Sequence, residues 1–164
     1  MTDHNTVPDS PARITSARVL ALFAADYAAA SPDGKLYING GFTSGWRFPS
    51  YPAILPTLGI AAVLELPFQD SMQDRLLRIG LRGPDNQELP VNIDAKFRVA
   101  PTLETQFGDP AQVPFAVTVT NVEIPLPGVY HLVLWLDGVE KQSYRIRAIQ
   151  TLIVPNFPSP PQSA

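Results

Sequence analysis

Few side chains in this sequence are of the types that carry out catalysis. The 164 residues include two histidines, His4 and His131, and no cysteine, which excludes disulfides, thiolate metal ligands and cysteine nucleophiles. A serine nucleophile is not indicated either, because Thr43-Ser44-Gly45 is not followed by the strand-to-helix turn of a Gly-x-Ser-x-Gly elbow. One histidine in a regular element is little material for general base catalysis, so we expect no enzymatic activity.

The aspartates offer a second kind of chemistry, calcium binding by loop carboxylates. Six of the ten aspartates lie in predicted turns: Asp33, Asp70, Asp74, Asp85, Asp109 and Asp137. Aspartate also favours turns because its side chain bonds to the local backbone, and no Asp-x-Asp-x-Asp-Gly loop is present. No pair of carboxylates can be identified as that of a glycosidase. We therefore interpret these residues as turn formers and expect neither a bound metal nor a cofactor.

Three aromatic residues, Trp46, Phe48 and Tyr51, stand between prolines in the segment 43–56, which we predict to be a long loop. Loop aromatics on a β-domain can stack on a carbohydrate or seat a peptide, since they offer a large area at a low entropic cost. The three are therefore the candidate ligand-binding residues. The competing interpretation is that they fold back and close the end of the core.

Half of the 12 basic residues are predicted to lie on the outward faces of three strands. They are Arg78, Arg82, Lys96, Arg98, Arg145 and Arg147. Neighbouring strands would join them into an anion-attracting stripe, but Asp94 and Glu140 are interspersed, and we favour a solvated face of mixed charge. The net charge of −3 gives no reason to expect nucleic acid, which requires a basic field.

The elements that position these residues are best defined between 114 and 149, where two turns separate three strands. Asp137-Gly138 between alternating apolar runs predicts a hairpin, because both residues tolerate the positive φ of a type I′ turn. The alternation directs Tyr130, Leu132, Leu134 and Leu136 inward. His131, Val133 and Trp135 then share the opposite face, and we interpret these three as candidate interface residues.

The rest of the chain reads as short strands separated by turn signals. Further strands are predicted at 18–26, 35–42, 58–66, 76–82 and 91–99, with a second long loop at 100–113. With no amphipathic helix, this predicts an all-β fold, a single antiparallel two-sheet β-sandwich of about eight strands, immunoglobulin-like or jelly-roll-like. We expect the domain to span 17–154, between a flexible arm at 1–16 and a proline-rich flexible tail at 155–164.

The termini and the apolar runs set the expected location of the protein. Residues 1–9 lack a basic segment followed by an apolar one, so no signal peptide is predicted. No apolar run is long enough to span a membrane, and we expect a cytoplasmic protein without membrane partners.

Several short stretches together resemble a family of small, uncharacterised bacterial β-sandwich proteins, a domain of unknown function. The stretches are Phe23-Ala24-Ala25-Asp26-Tyr27-Ala28, Gly34-Lys35-Leu36-Tyr37-Ile38-Asn39-Gly40-Gly41, Leu66-Pro67-Phe68, Val113-Pro114-Phe115, Pro125-Leu126-Pro127-Gly128-Val129-Tyr130 and Leu136-Asp137-Gly138. The resemblance covers about residues 18–150. It implies the fold and the turn chemistry, and no activity or site residues.

The strands 18–26 and 129–137 are apolar on both faces, whereas a two-layer fold covers only one face of each. Either the long loops or another chain must cover the second face. Charged residues make up 16% of the chain, against roughly 25% in a typical domain. We therefore predict a non-enzymatic binding or assembly module with a protein partner or self-association through Trp135. The alternatives are a carbohydrate- or peptide-binding sandwich using Trp46 to Tyr51, and an enzyme of unidentified class.

Overall fold

A computed structural model describes residues 15–100 and 108–151, and all of their regular structure except one 3₁₀ turn is β-strand. The strands are β1 (Arg18–Ala25), β2 (Tyr27–Ala30), β3 (Leu36–Asn39), β4 (Gly45–Phe48), β5 (Ala53–Leu66), β6 (Arg75–Arg82), β7 (Glu88–Phe97), β8 (Ala111–Ile124), β9 (Gly128–Leu136) and β10 (Val139–Gln150). The 3₁₀ turn spans Phe68–Asp70. No helix within this part of the chain has the length and apolar character needed to cross a membrane.

The strands form three sheets. One sheet has the order β1-β5-β8, a second has the order β4-β10-β9-β6-β7, and β2 and β3 form a two-stranded sheet. All neighbouring strands are antiparallel except β4 and β10, which are parallel. The prediction of an all-β fold is confirmed. A single two-sheet sandwich of eight strands is not, since the described residues form ten strands in three sheets.

The core lies between the three-stranded and the five-stranded sheet. The three-stranded sheet contributes buried aliphatic residues, among them Leu58, Ile60 and Leu64, and the five-stranded sheet contributes Ile79, Tyr130 and others. The predicted inward set of β9 is confirmed, because its four members are all at most 1% exposed: Tyr130, Leu132, Leu134 and Leu136. Burial of this continuous apolar cluster is the main favourable contribution to folding.

The β9–β10 hairpin turns at the predicted residues. Asp137 and Gly138 have φ values of 52° and 80°, and Leu136 pairs with Val139 across the turn. The Asp137 side chain also ties the turn to β6, because Oδ1 accepts a hydrogen bond from the backbone N–H of Leu76 at 2.9 Å. This contact helps to fix the register of β9 against both of its neighbours, and with it the face on which each β9 side chain lies.

The second apolar face of β1 and β5 is covered by the β2–β3 hairpin. Phe23, Ala28 and Ala61 form a separate buried cluster between the hairpin and the three-stranded sheet. Thr118 of β8 holds the hairpin in place, since its hydroxyl donates to the Ala28 carbonyl at 2.8 Å and accepts from the Ala28 N–H at 3.0 Å. We had expected the loops 43–56 and 100–113, or another chain, to provide this cover. The prediction for the strand 18–26 is therefore wrong.

The segment 43–56 is not a single long loop. It contains β4 and the first residues of β5, and β4 adds to the edge of the five-stranded sheet beside β10. The backbone N–H of Arg147 donates to the Ser44 carbonyl at 2.9 Å, so the pairing begins one residue before β4. The segment 100–113 likewise ends inside β8, and its residues 101–107 lie outside the described residues.

Most of the two predicted terminal segments also falls outside the described residues. This applies to 1–14 of the N-terminal arm and to all of the tail 155–164. The boundaries of the domain at 17 and 154 stay predictions.

Candidate binding face

The side chains of the five-stranded sheet that point away from the core form one continuous surface, here called the outer face. Its members follow from the strand register, since directly paired residues point to the same side of a sheet. They are Gly45 and Arg47 of β4, Glu140, Ser143, Arg145, Arg147 and Ile149 of β10, Val129, His131, Val133 and Trp135 of β9, Leu76, Arg78, Gly80 and Arg82 of β6, and Glu88, Asn92, Asp94 and Lys96 of β7.

Trp135 lies on the middle strand of the outer face, close to the β9–β10 turn, and contacts two arginines. The guanidinium carbons of Arg78 and Arg82 are 5.1 Å and 4.9 Å from the centre of its ring, within the range of cation–π attraction. Gly80 lies between these arginines on β6, and a Cβ atom there would come within 3.3 Å of the Trp135 ring. The glycine therefore provides the space that the indole occupies. The ring is half-buried, and part of it remains accessible.

Carboxylates and an amide hold the two arginines in position beside Trp135. Arg78 Nη2 donates to Glu88 Oε2 at 2.6 Å and to Asn92 Oδ1 at 3.2 Å. Arg82 Nη2 forms an ion pair with Glu140 Oε2 at 3.0 Å. A guanidinium with fixed partners loses less conformational entropy when a ligand arrives, so these contacts preorganise the surface around the indole.

A cleft of about 620 Å³ opens beside the indole. Its lining is mixed, with apolar atoms from Leu76 and Trp135 and charged groups from Arg78, Asp94 and Lys96. Apolar area next to a few oriented polar groups is typical of binding sites.

The outer face carries more positive than negative charge. It holds six basic side chains and three acidic ones, although the whole chain has a net charge of −3. Three of the basic groups have carboxylate partners, because Arg78 and Arg82 pair as described above and Lys96 Nζ lies 2.8 Å from Asp74 Oδ2. Among the described residues, no carboxylate forms an ion pair with the other three, Arg47, Arg145 and Arg147.

The predicted ligand-binding aromatics lie on the other side of the same sheet. Trp46 is only 6% exposed and packs in the core with its ring 5.8 Å from that of Tyr130. Phe48 and Tyr51 are half-buried, stack edge to face at 5.6 Å and pack against the same core cluster. The expectation that Trp46 offers its ring to a ligand is therefore corrected, because that ring is enclosed by the core. This placement agrees with the competing interpretation, in which the aromatic residues fold back and close the end of the core.

The predicted interface residues differ from one another in accessibility. Trp135 and His131 are half-buried on the outer face, but Val133, between them, is 0% exposed. Val133 pairs directly with Gly80 on one side and Ser143 on the other. A residue without exposed surface cannot contact a partner, so the prediction for Val133 is corrected. An interface role for the other two remains a prediction.

Sequence reasoning missed Arg47 and Gly80 as parts of the outer face. Arg47 was assigned to a loop, although its alternation with Trp46 and Phe48 is the period-two signal of a strand. For Gly80, alternation along the predicted strand 76–82 gives only an outward position. The small residue opposite a tryptophan becomes visible only when the strand order is known.

Among the titratable groups of residues 15–100 and 108–151, shifted pKa values occur in two aspartates and three tyrosines. Hydrogen bonds from Lys96 and Arg98 hold the pKa of Asp74 below its usual value, and the Lys35 and Ser31 side chains do the same for the pKa of Asp33. Burial raises the pKa of the Tyr51, Tyr130 and Tyr144 phenols. The described residues contain no group of three or more histidine, aspartate and glutamate side chains placed to hold a metal ion.

Comparison with known proteins gave a family match and likenesses to solved structures. The sequence model of a family described as "Family of unknown function (DUF6941)" matches residues 20–149. No curated protein matches the chain. The alkylpurine DNA glycosylase AlkC of Pseudomonas fluorescens, bound to DNA containing an abasic site analog, aligns over 81% of this chain and 30% of its own, with 10% identity and a TM-score of 0.43.

The second structural likeness is to a β-glucosidase from Listeria innocua. It aligns over 68% of this chain and 15% of its own, with 7% identity and a TM-score of 0.39. This chain thus spans less than a third of the length of either structure. Likenesses this distant carry no information about activity or ligands.

Proposed function

We propose that this chain, which belongs to the DUF6941 family of unknown function, is a non-enzymatic binding module whose outer face docks another protein. Because the family has no known function, the proposal is drawn from the geometry of the chain itself. The fold supplies a rigid β-domain, and the outer face is the part of the five-stranded sheet that the core leaves uncovered.

The observation that carries this proposal is the half-exposed Trp135 held between Arg78 and Arg82. Tryptophan and arginine are enriched among the residues that dominate protein–protein binding energies, above all when they lie near the centre of a contact surface. Here Trp135 is on β9, the middle strand of the five-stranded sheet. Its neighbours are already held by ion pairs, so less entropy is lost on docking.

The charge of the outer face favours an acidic partner over a second copy of this chain. Face-to-face packing of two copies would bring two surfaces with an excess of positive charge together, which is unfavourable. A partner with acidic groups around an apolar centre would complement both the arginines and the indole. We therefore expect sedimentation of the full chain at micromolar concentration to give a monomer of 17.9 kDa, contrary to the self-association predicted from composition.

Site-specific crosslinking tests the proposal directly. A photoactivatable phenylalanine analogue is placed at Trp135, and in a matched control at Tyr37, which is 56% exposed on the β2–β3 hairpin. We expect illumination of cells that naturally produce the protein to give a discrete protein adduct from position 135 and none from 37. Excess unmodified protein should compete for the adduct, and excess Trp135→Ala protein should not.

Two outcomes would contradict this assignment. Adducts of equal yield from both positions, or none from position 135, would show that the outer face is not a specific docking surface. A stable dimer in sedimentation that Trp135→Ala dissociates would keep the face as an interface and would identify the partner as a second copy.

A further inference from the structure

The edge of the outer face formed by β4 and β10 contains a recess of about 280 Å³, lined by Ser44, Arg145 and Arg147. Arg145 and Arg147 lie two residues apart on β10 and so project from the same face. Gly45 pairs directly with Arg147 and has no side chain to fill the space beside it. The recess is therefore bordered by two arginines of one strand and by Ser44 of the segment beside them.

The two arginines of the recess differ from those beside Trp135 in their partners. Arg78 and Arg82 each have a carboxylate within 3.0 Å. No carboxylate of the described residues forms an ion pair with Arg145 or Arg147, and both side chains are exposed. Two positively charged side chains on the same face of one strand repel each other, and an anion bound beside both relieves that repulsion. The recess thus has the charge and the donors of an anion site, and no carboxylate of residues 15–100 and 108–151 is paired with its arginines.

Paired residues of adjacent strands connect the recess to Trp135. Across the sheet, Arg145 pairs with His131, and His131 pairs with Arg82, whose guanidinium contacts the Trp135 ring. Beyond Arg147 the edge continues with Ile149, which pairs with Arg47. An extended ligand crossing the strands would therefore meet basic groups on one side and the indole on the other.

We propose that the recess of Ser44, Arg145 and Arg147 binds a side-chain carboxylate from an acidic segment of the partner protein. This inference rests on the proposed function. Guanidinium groups bind carboxylates through two parallel N–H···O bonds, which gives both strength and orientation. A neighbouring apolar side chain of the same segment would then reach the exposed part of the indole.

A nucleic acid fits this surface less well than an acidic peptide. A phosphate backbone carries charge along its whole length and favours an uninterrupted basic field. Glu88, Asp94 and Glu140 interrupt the outer face, and the chain as a whole is acidic. A short peptide can place its carboxylates on the recess and avoid these three groups.

The test uses the full chain labelled with ¹⁵N and titrated with hexaglutamate, with oligothymidylate of equal length as the second probe. We expect hexaglutamate to shift backbone amide resonances of residues 43–47 and 143–149 first. The double variant Arg145→Gln/Arg147→Gln should weaken this binding by about tenfold, as loss of charged hydrogen bonds predicts. The control Arg98→Gln removes one positive charge that pairs with Asp74, outside the outer face, and should change the affinity by less than about twofold.

Each other outcome would overturn the inference. Equal weakening by Arg98→Gln and the double variant would indicate a general charge effect instead of a site. Tighter binding of oligothymidylate would identify the ligand as a nucleic acid. Absence of hexaglutamate binding, together with a crosslink from position 135, would contradict the carboxylate site and would still agree with the proposed function. Hexaglutamate binding without a crosslink would contradict the proposed function and would overturn the assignment of the carboxylate to a partner protein.

Discussion

Trp46 and Trp135 belong to the same five-stranded sheet and lie on its two opposite faces. Trp46 points into the core, where it is 6% exposed and contacts Tyr130. Trp135 points outward and lies between two arginines. The difference does not come from the residue type or from local composition, since Trp46 has prolines and exposed polar residues near it in the sequence and Trp135 has an apolar run. It comes from the pairing of each strand.

The comparison shows that strand register decides which aromatic residue is available for binding. In β4, Trp46 pairs with Ala148, an inward residue of β10, and this pairing places the indole inside. In β9, Trp135 is adjacent to Leu134 and Leu136, which are both buried, and the alternation places it outside. An aromatic residue in a proline-rich segment is therefore not necessarily exposed.

The largest expected difference between the two residues is in stability. Trp46→Ala should lower the free energy of unfolding by about 3–5 kcal/mol, because it leaves a large cavity in the core. Trp135→Ala should lower it by about 1 kcal/mol or less, since it removes cation–π contacts at a half-exposed position. Urea denaturation followed by far-UV circular dichroism measures both values. Equal losses in the two variants would contradict the opposite placement of the rings.

The hairpin that sets the register of β9 gives the next largest effect. Gly138 has a φ of 80° and no other atom within 4 Å of a Cβ built on it. Gly138→Val should therefore destabilise the fold by roughly 1 kcal/mol or more through backbone strain alone. The midpoint of urea unfolding is the measurement. As a control, Val139→Ala changes an exposed neighbour and should leave the midpoint nearly unchanged. An unchanged midpoint in Gly138→Val would argue against a turn with positive φ.

The burial of Tyr130, the β9 residue that contacts Trp46, predicts that stability depends on pH in the alkaline range. Burial raises the pKa of the Tyr130 phenol above its usual value of 10.0, and its hydroxyl donates to the Leu126 carbonyl at 2.6 Å. A raised folded-state pKa adds stability that is fully present below pH 10 and is lost as the pH rises through the folded-state pKa. Stability should thus fall above pH 10, and less steeply in Tyr130→Phe. Identical slopes in the two proteins would exclude Tyr130 as a source.

Tryptophan fluorescence gives the smallest expected difference between the two residues, but it compares the exposure of their rings most directly. In Trp46→Phe only Trp135 emits, and in Trp135→Phe only Trp46 emits. We expect acrylamide to quench Trp135 more strongly, because part of its ring is accessible and the Trp46 ring is buried. Stern–Volmer slopes measure the difference. A steeper slope for Trp46 would reverse the assignment of the two faces.

The sequence predicts those parts of the fold in which local signals are strong. Asp137-Gly138 and the alternation of β9 predict the hairpin, its turn and the inward set correctly, because turn chemistry and period-two patterning both act within a few residues. The family resemblance is confirmed as well, since the chain belongs to a family of unknown function over residues 20–149. These features depend little on contacts distant in the chain.

The features that the sequence does not predict depend on pairing between distant segments. β4 has four residues and pairs with β10 about a hundred positions later, so its short alternation does not show which sheet it joins. The β2–β3 hairpin covers β5 closely because Gly59 has no Cβ, which would lie 2.6 Å from the Tyr27 backbone. The alanine-rich sequence of β2 does not by itself predict a strand separate from β1.

The candidate site shows the same limit. Arg78 and Arg82 were identified as outward residues from alternation alone, and Trp135 was identified as a candidate anchor. Their contact requires β6 to be the neighbour of β9, which follows from the strand order and not from either segment. Arg145 and Arg147 likewise form a recess only because Gly45 lies beside them.

The two edge strands of the five-stranded sheet have a consequence for aggregation. β4 is four residues long, carries Arg47 and is followed by Pro49, and β7 carries Pro90, Asp94 and Lys96. Short edges, prolines and charged side chains hinder the addition of a foreign strand by backbone hydrogen bonding. Growth of this sheet into a fibril is therefore disfavoured at both ends. The outer face can stay exposed and adhesive in a crowded solution without the sheet itself becoming a template for polymerisation.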